Sequence, residues 1–299
     1  MVPPSDPTPG LSRRAFLGGG LAAAGGLLVA GAFPGVAGAA SSSQDLAPLV
    51  LSSDLYASPN PQRLVVALAR GGSRGIQFVS GPSAQFRFQA PKDAPSTAAT
   101  PWTKAPLDRA GLPKGRGVYV SSPVLATAGV WKAWVRSQGE TVPFAIQVNA
   151  APVAPNVGQP APTAPSPTTA DPLGVSPICT RKTPCPLHAQ SLSTVIGAGK
   201  PVAALFATPA RCSSQYCGPV LDELLAVMAP YQDRITFVHI EIYQALTGTA
   251  HVPTVDAWRL PSEPWLFGID PSGTVVSRID GAFGGNEMKT LLDALVKGT

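Results

Sequence analysis

Residues 201–220 read PVAALFATPARCSSQYCGPV. The run Val202 to Phe206 is wholly apolar, as a central strand buried on both faces requires. From Val220 onward apolar residues recur at Leu221, Leu224, Leu225, Val227 and Met228, the spacing of a helix with a broad buried face. Gly218 or Cys217 is placed to cap that helix, Pro219 suits its first turn, and Pro230 ends it. Between strand and helix stand Cys212 and Cys217. A helix N-terminus offers unbonded N–H donors and a partial positive charge, and both favour a thiolate over a thiol. The pair is therefore a candidate reactive site.

Downstream, Arg234 to Ile242 reads as a second buried strand. Trp265 to Ile269 and Thr274 to Ile279 form a hairpin around Asp270-Pro271-Ser272-Gly273. Asn286 is placed to cap a last helix with Met288, Leu291, Leu292 and Leu295 on its apolar side. This order of strand, cysteine pair, helix, strand, connection, hairpin and helix resembles the thioredoxin-like domains of exported proteins, over about residues 185–299. The likeness rests on Val202 to Phe206 leading into Cys212, on Cys217-Gly218-Pro219 opening a helix, and on Glu263-Pro264-Trp265 before the hairpin. It implies an α/β thioredoxin-like fold and thiol–disulfide oxidoreductase activity. It also implies a cis Pro264 lying against the cysteines.

The departures from that family are specific. Thioredoxins place two residues between their cysteines; four separate Cys212 from Cys217, and Val220 follows the Cys-Gly-Pro run where the second cysteine would stand. The acid that thioredoxins bury in the preceding strand is missing from Val202 to Phe206. Glu263 would oppose a nearby thiolate, and Arg211 would favour one. Cys212 is read as the attacking sulfur and Cys217 as the resolving one, with no cofactor required. Two other readings stand beside it. In one, the Cys212–Cys217 bond is permanent and the domain is a non-catalytic binding or scaffold module. In the other, the chain resembles the exported thioredoxin-like copper metallochaperones, which pair two cysteines with a late histidine. His239 alternates with apolar residues and reads as a structural histidine, which leaves His251 as the ligand candidate.

Cys179 and Cys185 lie in a Pro-rich stretch ahead of the fold and are expected to form a structural disulfide that clasps the linker to the domain. Four cysteines allow three pairings, and sequence alone does not choose among them.

Upstream, residues 151–178 hold eight prolines and one charge, with no amphipathic period. Such a segment is expected to be a semi-rigid spacer between two domains, 43–150 and 179–299. The first has neither cysteine nor histidine. Gln85 to Gln89 and Val142 to Val148 alternate in polarity, while Leu64 to Ala69 and Ile76 to Val79 are apolar runs. These short strands imply an antiparallel β-sandwich. The hairpin from Ala128 to Val148 resembles the last two strands of immunoglobulin-like domains of exported bacterial proteins. The expected architecture is thus an N-terminal all-β immunoglobulin-like sandwich followed by a C-terminal α/β thioredoxin-like fold. No set of nucleophile, acid and base is visible in the sandwich, so a spacing or docking role is its default.

Ser12-Arg13-Arg14-Ala15-Phe16-Leu17 matches the twin-arginine export signal. An uncharged Gly/Ala-rich segment follows and ends in Ala37-Gly38-Ala39, a small-x-small cleavage pattern, so residues 1–39 are read as a signal peptide. An uncleaved signal would leave the chain anchored to a membrane. Outside the cytosol disulfides persist. The expected partners are exported proteins with thiols or disulfides, together with a membrane electron donor if the domain works as a reductant. Removal of residues 1–39 leaves 20 basic and 16 acidic residues, net +4, too mild and dispersed for nucleic-acid binding. The glycines at 281, 284 and 285 lack the dinucleotide fingerprint.

Overall fold

The structure is a computed structural model that describes residues 45–72, 75–109, 111–112, 115–212 and 216–298. The export signal with Arg13 and Arg14 lies outside the described residues. Among those described, no helix is long and apolar enough to cross a membrane.

The protein is mostly β, with two sheets and few helices. The first sheet has eight strands: β1 (Leu46–Val50), β2 (Leu64–Gly72), β3 (Gly75–Val79), β4 (Ser83–Gln89), β5 (Thr103–Asp108), β6 (Val118–Ser121), β7 (Gly129–Ser137) and β8 (Glu140–Val148). Their order is β1-β2-β6-β5-β4-β7-β8, with β3 paired to β2, and every pairing is antiparallel. The strands fold over one core in which Leu64, Val66 and Leu68 of β2 meet Phe86 and Phe88 of β4 and Trp131, Ala133 and Val135 of β7. On β4 burial alternates residue by residue, as a strand with one wet face demands. Strand β2 does not alternate, because its other face is also covered. Val65 and Ala67 pack with Val118, Tyr216 and Ala282, so the continuous apolar run serves two cores at once.

The second sheet contains β9 (Val202–Phe206), β10 (Thr236–Ile240), β11 (Trp265–Ile269) and β12 (Val275–Asp280) in the order β10-β9-β11-β12. Strand β10 runs parallel to β9, β11 antiparallel to β9, and β12 antiparallel to β11. That order and those directions are thioredoxin-like. The sheet is flanked by α1 (Leu192–Val195), α2 (Cys217–Val227), α3 (Pro253–Ala257) and α4 (Gly285–Lys297). Ala203 and Leu205 of β9 point to the face covered by Val220, Leu221 and Leu224 of α2 and by Met288, Leu291 and Leu295 of α4. Val202, Ala204 and Phe206 point to the opposite face, under Leu192, Val255 and Trp258. Two-sided burial is what the five apolar residues of β9 require.

Two sequence expectations change here. Helix α4 is capped by Gly284, not Asn286, because Glu223 of α2 accepts the Gly285 N–H at 3.1 Å and makes a side-chain cap unnecessary. The segment 151–178, expected to be a semi-rigid spacer, packs on the second sheet over part of its length. Ala154, Ala161 and Val175 are buried in the second sheet's core. Gly158 N donates to Val275 O, Val275 N to Gln159 O and Ala161 N to Gly273 O, each at 2.8–2.9 Å. Extended proline-rich backbone keeps its carbonyls free to accept, and its alanines are small enough to lie flat on a sheet. One carboxylate holds the junction. Asp54 accepts Arg278 Nη1 at 2.8 Å and the N–H groups of Val153 and Ala154 at 2.9 and 3.1 Å.

Candidate functional site

Strand β9 delivers the chain through Thr208 to Cys212, and Cys217 is the first residue of α2. The two are joined by a disulfide with a Cα–Cα distance of 5.7 Å. Their environments differ. Cys217 is fully buried against Val220, Leu221 and Leu205, whereas Cys212 is only half-buried. The backbone N–H of Cys217 donates to Cys212 Sγ at 3.2 Å. That donor belongs to the first turn of α2, so it has no partner within the helix and is aimed at sulfur instead. When the bond opens, the same donor favours the thiolate on Cys212.

Strand β9 holds no acid, but a carboxylate approaches the disulfide from another segment. Glu263, which is buried, places Oε2 3.5 Å from Cys217 Sγ, and the Glu263–Pro264 peptide is cis. Cys212, Cys217 and Glu263 hold their ligand-type atoms within 4.8 Å of one another. His251 is not in that group; its ring stands 5.3 Å from that of Tyr243. The Arg211 guanidinium donates to the carbonyl of Ala245 at 2.8 Å and stacks over the Tyr243 ring at 4.2 Å. Arg211 is thereby committed to the 243–248 loop.

Tyr216, one residue before Cys217, is almost fully buried among Val65, Ala67, Val118 and Ala282. Burial pushes its phenol above the ordinary tyrosine range, and its hydroxyl has no hydrogen-bond partner among the described residues. The first sheet thus covers the residue that precedes Cys217. Arg63 fixes that cover: its guanidinium meets Glu287 of α4 at 2.6 and 2.7 Å and the carbonyls of Asp280 and Ala282 at 2.6 Å.

The second cysteine pair departs from expectation. Cys179 and Cys185 are not joined in a disulfide clasp, and both are buried. They sit with His188 and His239 in a compact group whose four ligand-type atoms all lie within 4.8 Å of one another. His239 is satisfied through Nε2, 2.9 Å from the Ala207 carbonyl oxygen, and turns its other ring nitrogen to this group. The Cys179 thiol is pushed far below the ordinary thiol range, first by a hydrogen bond with Cys185 and further by His188 and His239. Sequence reasoning missed His188, although the pattern Cys-x5-Cys-x2-His over residues 179–188 was there to be read. Glu241 was missed too; it accepts the Thr180 N–H at 2.6 Å, and burial pushes its carboxyl upward.

No family model matches the chain, and no curated protein matches it. Among solved structures, one titled as a putative thiol:disulfide interchange protein DsbE from Chlorobium tepidum is similar at 15% identity and a TM-score of 0.35. The match covers 48% of this chain and 99% of that one.

Proposed function

We propose that the chain is an exported thiol–disulfide oxidoreductase whose Cys212–Cys217 pair exchanges with thiols or disulfides of other extracytoplasmic proteins. The observation that carries this reading is the asymmetry of the pair. A half-buried sulfur receives a helix N-terminal N–H at 3.2 Å, and its partner sulfur is fully buried 3.5 Å from a carboxylate. In the reducing direction the Cys212 thiolate attacks one sulfur of a partner's disulfide, forming a mixed disulfide and releasing the partner's other sulfur as a thiolate. Glu263 takes the proton of Cys217. The Cys217 thiolate then attacks Cys212 Sγ, the partner leaves as a dithiol, and the Cys212–Cys217 bond carries the two electrons' worth of oxidation. The oxidising direction is the reverse. In this reading the first sheet is an immunoglobulin-like docking or spacing domain, and the twin-arginine signal delivers the whole to the cell exterior.

Trapping tests the assignment. Cys217→Ser is expected to accumulate mixed disulfides through Cys212, while Cys212→Ser accumulates none. Capture by Cys212→Ser alone inverts the roles, and capture by neither removes the activity.

A second reading has one observation in its favour. The burial of Tyr216 under the first sheet suits a permanent bond that pins the loop of a non-catalytic module. Thiol titration separates the two readings: a bond opened by mild reductant in the folded chain supports exchange, and one that resists until unfolding supports the pin.

A further inference from the structure

We propose that Cys179, Cys185, His188 and His239 form a closed tetrahedral site for one structural Zn²⁺ ion, independent of the Cys212–Cys217 pair. Cys185 Sγ lies 3.4 Å from His188 Nε2 and 3.3 Å from His239 Nδ1, and the two imidazole nitrogens are 3.1 Å apart. A tetrahedral zinc with Zn–S of about 2.3 Å and Zn–N of about 2.0–2.1 Å has edges of roughly 3.5 Å from S to N and roughly 3.3 Å from N to N. The observed separations fall within a few tenths of an ångström of those edges. The triangle of Cys185, His188 and His239 already has the size of one face of a zinc coordination shell, and Cys179 Sγ lies within 4.8 Å of all three.

The surroundings orient the ligands. His239 Nε2 lies 2.9 Å from the carbonyl oxygen of Ala207, which can only accept, so Nε2 carries the proton and Nδ1 turns a lone pair toward the cluster. The backbone N–H of Cys185 donates to Cys179 Sγ at 3.3 Å, a contact that suits a metal-bound thiolate. Glu241 holds the next residue along through Thr180 N at 2.6 Å and Thr180 Oγ1 at 3.1 Å.

Charge and burial agree. All four residues are no more than 7% exposed. Two thiolates, two neutral imidazoles and Zn²⁺ sum to zero, so the filled site carries no net charge into the core. The position also has a purpose. Residues 178–191 contain no helix or strand, and an ion would staple them to β10 through His239. Thr180 Oγ1 further accepts the Ala210 N–H at 3.1 Å, so the stapled segment supports the stretch that presents Cys212.

The test is metal content and ligand field on the full chain. Plasma mass spectrometry is expected to find about one zinc per chain, retained in the Cys212→Ser/Cys217→Ser variant. Growth in cobalt is expected to give sulfur-to-cobalt charge transfer and the intense visible bands of a tetrahedral ion. In Cys185→Ser and His188→Ala zinc is expected to fall at least tenfold. Where those variants do not fold, the cobalt spectrum of the unsubstituted chain decides. A Cys179–Cys185 disulfide peptide with no metal overturns the proposal, and so does copper(I) in place of zinc, an octahedral cobalt spectrum, or zinc lost with the Cys212→Ser/Cys217→Ser change.

Discussion

Glu263 Oε2 stands 3.5 Å from Cys217 Sγ, on the loop that turns through a cis peptide at Pro264. The carboxylate arrives from the segment before β11, not from β9 where thioredoxins keep their acid. Proton transfer depends on reach and not on which strand supplies the group. Glu263→Gln is expected to slow resolution of the mixed disulfide about tenfold or more, with the first attack by Cys212 unchanged. Stopped-flow kinetics checks it; an unchanged resolution rate removes Glu263 from the chemistry.

Tyr216 buries its ring between the two sheets and leaves its hydroxyl without a partner among the described residues. Tyr216→Phe removes a desolvated polar group while keeping the volume, so it is expected to be neutral or stabilising by up to about 1 kcal/mol. Tyr216→Ala opens a cavity and is expected to cost about 3 kcal/mol. Urea unfolding of both variants measures the pair. A Phe variant destabilised as much as Ala would mean that the hydroxyl is bonded.

Asp54 joins β12 and the start of the Pro-rich segment through Arg278, Val153 and Ala154. Its carboxylate is almost completely buried. Asp54→Ala strands the Arg278 charge and is expected to cost about 3–5 kcal/mol, while Asp54→Ala with Arg278→Met costs less than the single change. A double-mutant cycle in urea reads the coupling. Additive losses would show that the pair contributes nothing as a pair.

Asp280 accepts Ser53 N at 2.6 Å and Ser53 Oγ at 3.0 Å, and burial raises its carboxyl above the ordinary aspartate range. The folded chain holds that proton more tightly than the unfolded chain. Its increment of stability is therefore fully present below the unfolded value near 4 and is lost as pH rises through the raised folded value. Asp280→Asn is expected to remove that slope. Unfolding free energies between pH 4 and 7 decide; an identical slope in both chains assigns it to another group.

Much of the second sheet was legible because its signals are local. Val202 to Phe206, the spacing from Val220 to Met228 and the Asp270–Gly273 turn each report on their own neighbours, and the structure follows them. The misses are non-local. The apolar run of β2 is visible in sequence, yet its outer face is covered by Tyr216 and Ala282, well over a hundred residues later. The Pro-rich segment has no period to read, but a flat sheet face accepts extended chain without one. His239 carries the same alternation as a core residue, and only the arrival of His188 and Cys185 reveals what its Nδ1 faces. Asn286 was the better cap by residue type; Glu223, on another helix, took the role.

The placement of Tyr216 couples two bodies thermodynamically. The residue adjoining the buried sulfur packs against the first sheet, so the free energy of opening the bond includes whatever that packing resists. A molecule that binds the first sheet and shifts Val65, Ala67 or Val118 would alter the reduction potential of sulfurs it never touches. Reciprocity then requires the oxidised and reduced chains to bind that molecule with affinities differing by the same factor.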